Sequence, residues 1–246
     1  MRRGLAAMIL KARGVTKNFG GLAAVSNVDF DVDEGMIMGL IGPNGAGKTT
    51  LFNLISGAVP LDSGTIFYDE QKISGRKPYH ICRAGIGRTF QIAKNFPGMS
   101  VRENVMMGAL FGKANQSKKK VESEVDEILE YVDLADQADR HVPDLTLAGQ
   151  KRVEVARALA TKPRLLMLDE TMAGLNPTEV DEAMMLVRKI RSSGITIIMI
   201  EHVMRAIMAI CDRIVVLHHG EKIAEGPPEE IATNSAVIEV YLGASG

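Results

Sequence analysis

The stretch "GPNGAGKTT" at 42–50 has the residue types and spacing to hold a chain of phosphates. It matches G-x-x-x-x-G-K-[ST], with Gly42, Pro43, Asn44, Gly45, Ala46 and Gly47 forming a tight loop ahead of Lys48, Thr49 and Thr50. Gly45 and Gly47 allow backbone N–H groups to close around phosphate oxygens, and a helix beginning there favours their negative charge. Lys48 can reach the β- and γ-phosphates, and the Thr49 hydroxyl can ligate Mg²⁺. The implied ligand is a nucleoside triphosphate with its Mg²⁺.

A second stretch, "LLMLDE" at 165–170, is an apolar run ending in two acids. Strands often end in charged residues, so alone it carries little. With a phosphate loop upstream, Asp169 becomes the expected carboxylate beside Mg²⁺. Glu170 is then placed to accept a proton from an attacking water. A third stretch, "LTLAGQKRVEVARAL" at 145–159, sets small residues and the Thr146 hydroxyl before a helix carrying Lys151, Arg152 and Arg157. On its own it reads equally as a capped helix start, since threonine is a common cap.

These residues need rigid elements behind them. "GMIMGLIG" (35–42) is a nearly continuous apolar run of the kind a buried strand shows, and "TTLFNLISG" (49–57) reads as a helix closed by Gly57. "VDFDV" (28–32) alternates as a half-buried strand does, and "SGTIFYDEQKI" reads as a strand with a polar turn. "RLLMLDE", "GITIIMIEH" (194–202) and "DRIVVLHHG" (212–220) look like further buried strands with helices between them. Such alternation predicts a mostly parallel sheet covered by helices. Residues from about 93 to 161 contain no convincing strand. Val121, Val125, Ile128, Leu129 and Val132 fall on one helical face there, which predicts a separate helical lobe within a single 1–246 domain.

With 246 residues the chain can bury a substantial core. Its formal charge of −1 gives no general attraction to nucleic acid. Cys82 and Cys211 offer no disulfide framework and suit a reducing compartment. The opening "MRRGLAAMIL" is too short an apolar run for a signal-peptide core, and no apolar stretch approaches the roughly 18 residues of a membrane span. A soluble, cytoplasmic chain is expected. The lysines at 118–120 read as solvated surface, and the methionines as core filler. His80, His141, His218 and His219 have no metal-ligand spacing with either cysteine.

Phosphate loops serve kinases, GTPases and many ATPases, so the class is decided elsewhere. An LSGGQ-like segment followed by "RVEVARAL", ahead of the acidic strand end, resembles the signature of ABC-type ATPases. Counting back without gaps sets Leu145, Thr146, Leu147, Ala148 and Gly149 over the motif, with Thr146 for its serine and Ala148 for a glycine. A one-residue shift aligns Gly149 and Gln150 better but puts Leu147 where the hydroxyl belongs. The gapless register is preferred because the chemistry uses that hydroxyl.

Other landmarks follow in order. Gln91 in "GIGRTFQ" resembles the Q-loop glutamine, which in the family contacts Mg²⁺ and the lytic water. "AGLNP" (173–177) resembles the D-loop, with Asn176 where aspartate is commoner. His202 resembles the switch histidine that senses the γ-phosphate, and Phe19 in "KNFGG" the aromatic that stacks on adenine. Taken singly, a buried histidine and a core phenylalanine are the ordinary readings of these two. "FGGLAAVSNVDFDV", "IGRTFQ", "AGLNPTEV" and "VIEVYLG" narrow the resemblance to the ATP-binding subunits of branched-chain amino-acid importers, the LivG-type member in particular. The chain departs from the pattern at Thr171, where proline usually follows the glutamate, and in its signature.

The resemblance implies a P-loop NTPase of the ABC ATPase fold: α/β, with a mostly parallel sheet, an antiparallel β part and an inserted helical lobe. It implies that two identical or homologous subunits sandwich two Mg-ATP. Each ATP would lie between the phosphate loop of one subunit and Thr146–Gly149 of the other. Transmembrane permease subunits would dock between the Q-loop region and the helical lobe, serving indirectly a substrate-binding protein. The chain would thus be peripheral on the inner face of the membrane. An exporter or lipid-transporter ATPase, or an importer of urea, amides or aromatic acids, stays open at this point. A DNA-repair ATPase would carry long insertions and a basic surplus absent from this sequence. A small-molecule kinase needs neither signature nor switch histidine.

Overall fold

The computed structural model describes residues 7–90, 95–112 and 118–242. In chain order the elements are β1 (Met8–Phe19), β2 (Leu22–Asp33), β3 (Ile37–Ile41), α1 (Lys48–Ile55), β4 (Ser63–Tyr68), β5 (Gln71–Lys72), α2 (Pro78–Ala84) and β6 (Ile86–Arg88). Three helices follow, α3 (Val101–Gly112), α4 (Lys118–Tyr131) and α5 (Leu147–Ala160). The chain then alternates: β7 (Leu165–Asp169), α6 (Pro177–Ser192), β8 (Thr196–Ile200), α7 (Met204–Ile210), β9 (Arg213–His218) and β10 (Glu221–Gly226). Helices α8 (Pro228–Thr233) and α9 (Ser235–Leu242) end the described part.

The apolar runs become the centre of a six-stranded sheet ordered β10-β9-β3-β8-β7-β6, in which only β10 runs antiparallel to its neighbour. Every residue of β3, β7 and β8 is buried. A strand sends successive side chains to opposite faces, so a strand covered on both sides must be apolar throughout. The two faces accordingly feed two clusters. Ile37, Leu166, Leu168, Ile197, Met199 and Val216 enter one, while Met38, Leu40, Leu165, Met167, Ile198 and Leu217 enter the other.

The second cluster is closed by α1 and by a four-stranded antiparallel sheet ordered β2-β1-β4-β5. The first is closed by helices. Val101, Val105, Val121, Val125, Leu129, Val132 and Val153 lie in the same cluster as the sheet residues. Helix α5 touches α3 and α4 as well as β6 and β7, so the helical segment packs on the sheet through one continuous core. The sequence reading passed over β6, a three-residue edge strand that pairs with β7. Among the described residues, no helix is long and apolar enough to cross a membrane.

Candidate nucleotide site

The phosphate loop leaves the end of β3 and turns into α1. Gly42 and Gly47 hold φ values of 148° and 100°, and a Cβ would stand 2.1 Å from the Leu217 carbonyl oxygen or 2.3 Å from that of Ala24. Only glycine fits either place. Gly47 caps α1 with no side chain to offer, so among the described residues the start of that helix has no side-chain cap. Backbone N–H donors at the positive end of a helix suit anionic oxygen.

A pocket of about 310 Å³ opens over this loop. Asn44, Gly45, Ala46, Gly47, Lys48, Thr49 and Thr50 line it, with Glu170 and His202 from across the sheet edge. Lys48 is 6% exposed, and its Nζ donates to the carbonyl oxygens of Gly42 (2.7 Å) and Pro43 (2.9 Å). Burial pulls its pKa down, and Glu170 and Asp169 pull it back up. The ammonium therefore belongs to the loop, close to where negative charge would enter.

Asp169 ends β7, is 1% exposed, and accepts from Arg88 Nη2 at Oδ2 (2.9 Å). Burial raises the pKa of its carboxyl while Arg88 lowers it. Its Oδ1 is buried without a hydrogen-bond partner among the described residues. An orphaned carboxylate oxygen together with a threonine hydroxyl in the phosphate pocket is an all-oxygen donor set. Mg²⁺ accepts such a set when phosphates and water complete it. The residues present fit that ion.

Glu170 follows in a left-handed conformation, φ 52°, which costs a non-glycine residue of order 1–3 kcal/mol. Backbone hydrogen bonds hold it there, and its side chain meets His202. Its N–H donates to Ile200 O (2.9 Å), its carbonyl accepts from Lys151 Nζ (2.6 Å), and its Oε1 lies 2.9 Å from His202 Nε2. Behind it, buried Glu201 accepts from Thr171 Oγ1 (3.2 Å) and Met172 N–H (2.8 Å) at Oε1. Burial pushes the Glu201 carboxyl up to about 7. Thr171, the departure from proline, thus has a hydrogen-bond partner that proline would lack.

The remaining expected residues are placed as follows. Thr146 caps α5, its Oγ1 accepting from Gly149 N–H at 3.2 Å. Neither Thr146, Ala148 nor Gly149 lines the phosphate pocket of its own chain; Ala148 lines a cavity between α5 and α6. Asn176 caps α6 in a reciprocal pair with Glu179. Gln91 lies outside the described residues. Phe19 ends β1 opposite Leu22, half exposed, with Lys17 Nζ 5.5 Å from its ring centroid. Its strand partner Leu22 lines the pocket with Ala23 and Ala24, and Phe19 itself is not part of the lining. Phe19→Ala is expected to weaken ATP binding by roughly 1–3 kcal/mol if the ring stacks on the base. Nucleotide titration measures it, and an unchanged Kd would remove Phe19 from the site.

Sequence reasoning missed Arg88, Glu201, His219 and the Leu22–Ala24 wall. His219 lines the pocket from the β9–β10 turn, which is tied to the loop by Gly220 N–H donating to Ala46 O (3.1 Å). Arg88 and Glu201 had a visible signal, since each is a charged residue flanking an apolar run.

A phosphate loop on one strand end, two carboxylates on another and a histidine on the strand between them are the parts of a nucleotide hydrolase. Comparison with known proteins says which kind. The pattern of the ABC transporter family matches residues 25–173, and that of the "Branched-chain amino acid ATP-binding cassette transporter" matches residues 221–246. The chain belongs to the ABC transporter family and is one of its ATP-hydrolysing cassettes. It is 40% identical to the high-affinity branched-chain amino acid transport ATP-binding protein BraF of Pseudomonas aeruginosa, over 96% of this chain and 98% of that one. It is likewise 40% identical to LivG of Escherichia coli K12, with the same coverage. A crystal structure of the ADP conformation of an ABC-transporter cassette superposes with a TM-score of 0.88, at 31% identity, over 97% of this chain and 100% of that one.

Proposed function

We propose that this chain powers an importer of branched-chain or other hydrophobic amino acids by hydrolysing ATP on the cytoplasmic face of the membrane. The cargo reading is supported by the names of the 40% identical relatives and by the family match at 221–246.

The observation that carries the mechanism is the incompleteness of the pocket. Its lining includes Lys48, Thr49, Glu170 and His202, while Thr146, Ala148 and Gly149 at the start of α5 are not part of it. A second cassette, identical or homologous, supplies that segment to the γ-phosphate, as this chain does in return. Backbone N–H groups of 45–49 and the Lys48 ammonium bind the β- and γ-phosphates. Thr49 and Asp169, with Gln91, would hold Mg²⁺, which when bound neutralises phosphate charge. Glu170 takes the proton of the attacking water, and His202 holds the Glu170 carboxylate and the γ-phosphate in register. Phe19 closes over the base. The helical segment at 93–161 then forms a lobe that meets permease subunits near Gln91, with a substrate-binding protein acting on those permeases from the far side.

Uptake in cells tests the reading. Cells lacking this chain should lose ATP-dependent uptake of leucine, isoleucine and valine, and regain it with the intact chain. Unchanged uptake of all three, with loss of urea, amide or aromatic-acid uptake or of an efflux activity, would overturn the cargo assignment.

A further inference from the structure

We propose that Arg88 is a positioning residue for the cation end of the site, fixing Asp169 against α1 so that one carboxylate oxygen is committed and the other left for Mg²⁺. The inference rests on reading Asp169 as the carboxylate beside Mg²⁺. Arg88 ends β6, and only 8% of its side chain is exposed. Its Nη1 donates to Asn53 Oδ1 (2.8 Å) and to Ser56 Oγ (2.9 Å), at the far end of the helix that begins with Lys48 and Thr49. Its Nη2 donates to Asp169 Oδ2 (2.9 Å) on β7. The rings of Phe52 and Phe90 flank the guanidinium, with centroids 5.6 and 5.1 Å from Cζ. Thr89, the next residue, accepts the Asp169 N–H at Oγ1 (2.9 Å). The end of one short edge strand therefore holds both the side chain and the backbone of Asp169.

Stability alone is a poor account of this arrangement. A buried ion pair repays its desolvation only with excellent geometry, and here Arg88 Nε is buried without an acceptor among the described residues. What the pair does achieve is a fixed span. Thr49 sits at one end of α1, Arg88 grips the other end, and the same guanidinium grips Asp169. The two groups expected to flank Mg²⁺ are then members of one braced frame. The bracing needs a planar fork serving acceptors on two elements at once, which an ammonium cannot reproduce. The order of effect is that of partners that orient metal ligands, whose loss commonly costs 10–100-fold in metal affinity or activity.

The test compares metal-free and metal-loaded nucleotide binding in the full chain, with Mn²⁺ as a spectroscopic probe. Arg88→Met should bind ATP in EDTA within about twofold of the unsubstituted chain, which also reports a folded loop. Its affinity for Mn²⁺ in the presence of ATP, read by electron paramagnetic resonance, should fall about 10–100-fold, with kcat reduced and KM for ATP at saturating Mg²⁺ little moved. Arg88→Lys should recover only part of the loss. If Arg88→Met does not fold, Asn53→Ala with Ser56→Ala frees the guanidinium from α1 without touching Asp169 and should weaken Mn²⁺ binding in the same sense. Asp169→Asn separates the two readings. Weak Mn²⁺ binding in Asp169→Asn with normal binding in Arg88→Met and in the Asn53/Ser56 pair overturns the role of Arg88 alone. Normal binding in Asp169→Asn overturns the assignment of Asp169 and the inference with it.

Discussion

Glu170→Gln is expected to bind ATP and to lose about 10²–10⁴-fold in kcat, the range a missing general base produces. The amide keeps the shape of the side chain beside His202 Nε2 but cannot take up the proton of an attacking water. The backbone at φ 52° depends on Lys151 and Ile200 and not on the carboxylate, so the fold should be indifferent to the change. Phosphate release measures turnover, and a kcat within tenfold of the unsubstituted chain would take Glu170 out of the chemistry. Because ATP persists in this variant, size-exclusion chromatography should show a longer-lived dimer with ATP, with the homologous partner supplied if the native pair is a heterodimer. Adding Thr146→Ala and Gly149→Asp should abolish that dimer while ATP binding to the single subunit survives. The first change removes a hydroxyl, and the second sets a carboxylate toward the partner's γ-phosphate. A triple variant that still dimerises would reduce 145–149 to a helix start.

Lys48→Ala should abolish useful hydrolysis and weaken ATP binding by at least ~2–5 kcal/mol, the cost of truncating one partner of a buried charge pair. Lys48 Nζ already rests on the Gly42 and Pro43 carbonyls, so the site holds its charge in place before any phosphate arrives. Little reorganisation remains to be done on binding, and correspondingly little rescue is available without it. Calorimetric titration with ATP reads the loss directly. Steady-state ATPase within a few-fold of the unsubstituted chain would overturn the phosphate-loop assignment.

What the sequence disclosed and what it concealed divide along physical lines. The strands at 37–41, 165–169 and 196–200 were legible because burial on both faces leaves an unbroken apolar run. The loop at 42–50 was legible because backbone approach to phosphate restricts residue type as well as spacing. The β6 strand was not, since three residues carry no periodicity and "IGR" owes its place to pairing with β7. Nor was the shared core of helices and sheet, because an amphipathic helix such as α4 records that it has an apolar face and not what that face meets. The partners of Glu201 and Arg88 were concealed for the same reason. Both lie on segments 29 or more residues from the groups they hold, brought near only by the fold.

That strand order has a consequence for how the machine can vary. Five strands run in one direction, and each brings a candidate site residue to the same edge: His219 after β9, the phosphate loop after β3, His202 after β8, Asp169 and Glu170 at β7, Arg88 at β6. Neighbouring strands are spaced by roughly 4.8 Å, so the edge acts as a ruler about 19 Å long with one chemical mark per strand. A mark can be exchanged for another residue, but its position cannot be adjusted, because sliding any strand by one residue would turn its apolar side chains onto the wrong face. Natural change in such a cassette is therefore confined to which residue stands at each mark, and to the surfaces away from the edge.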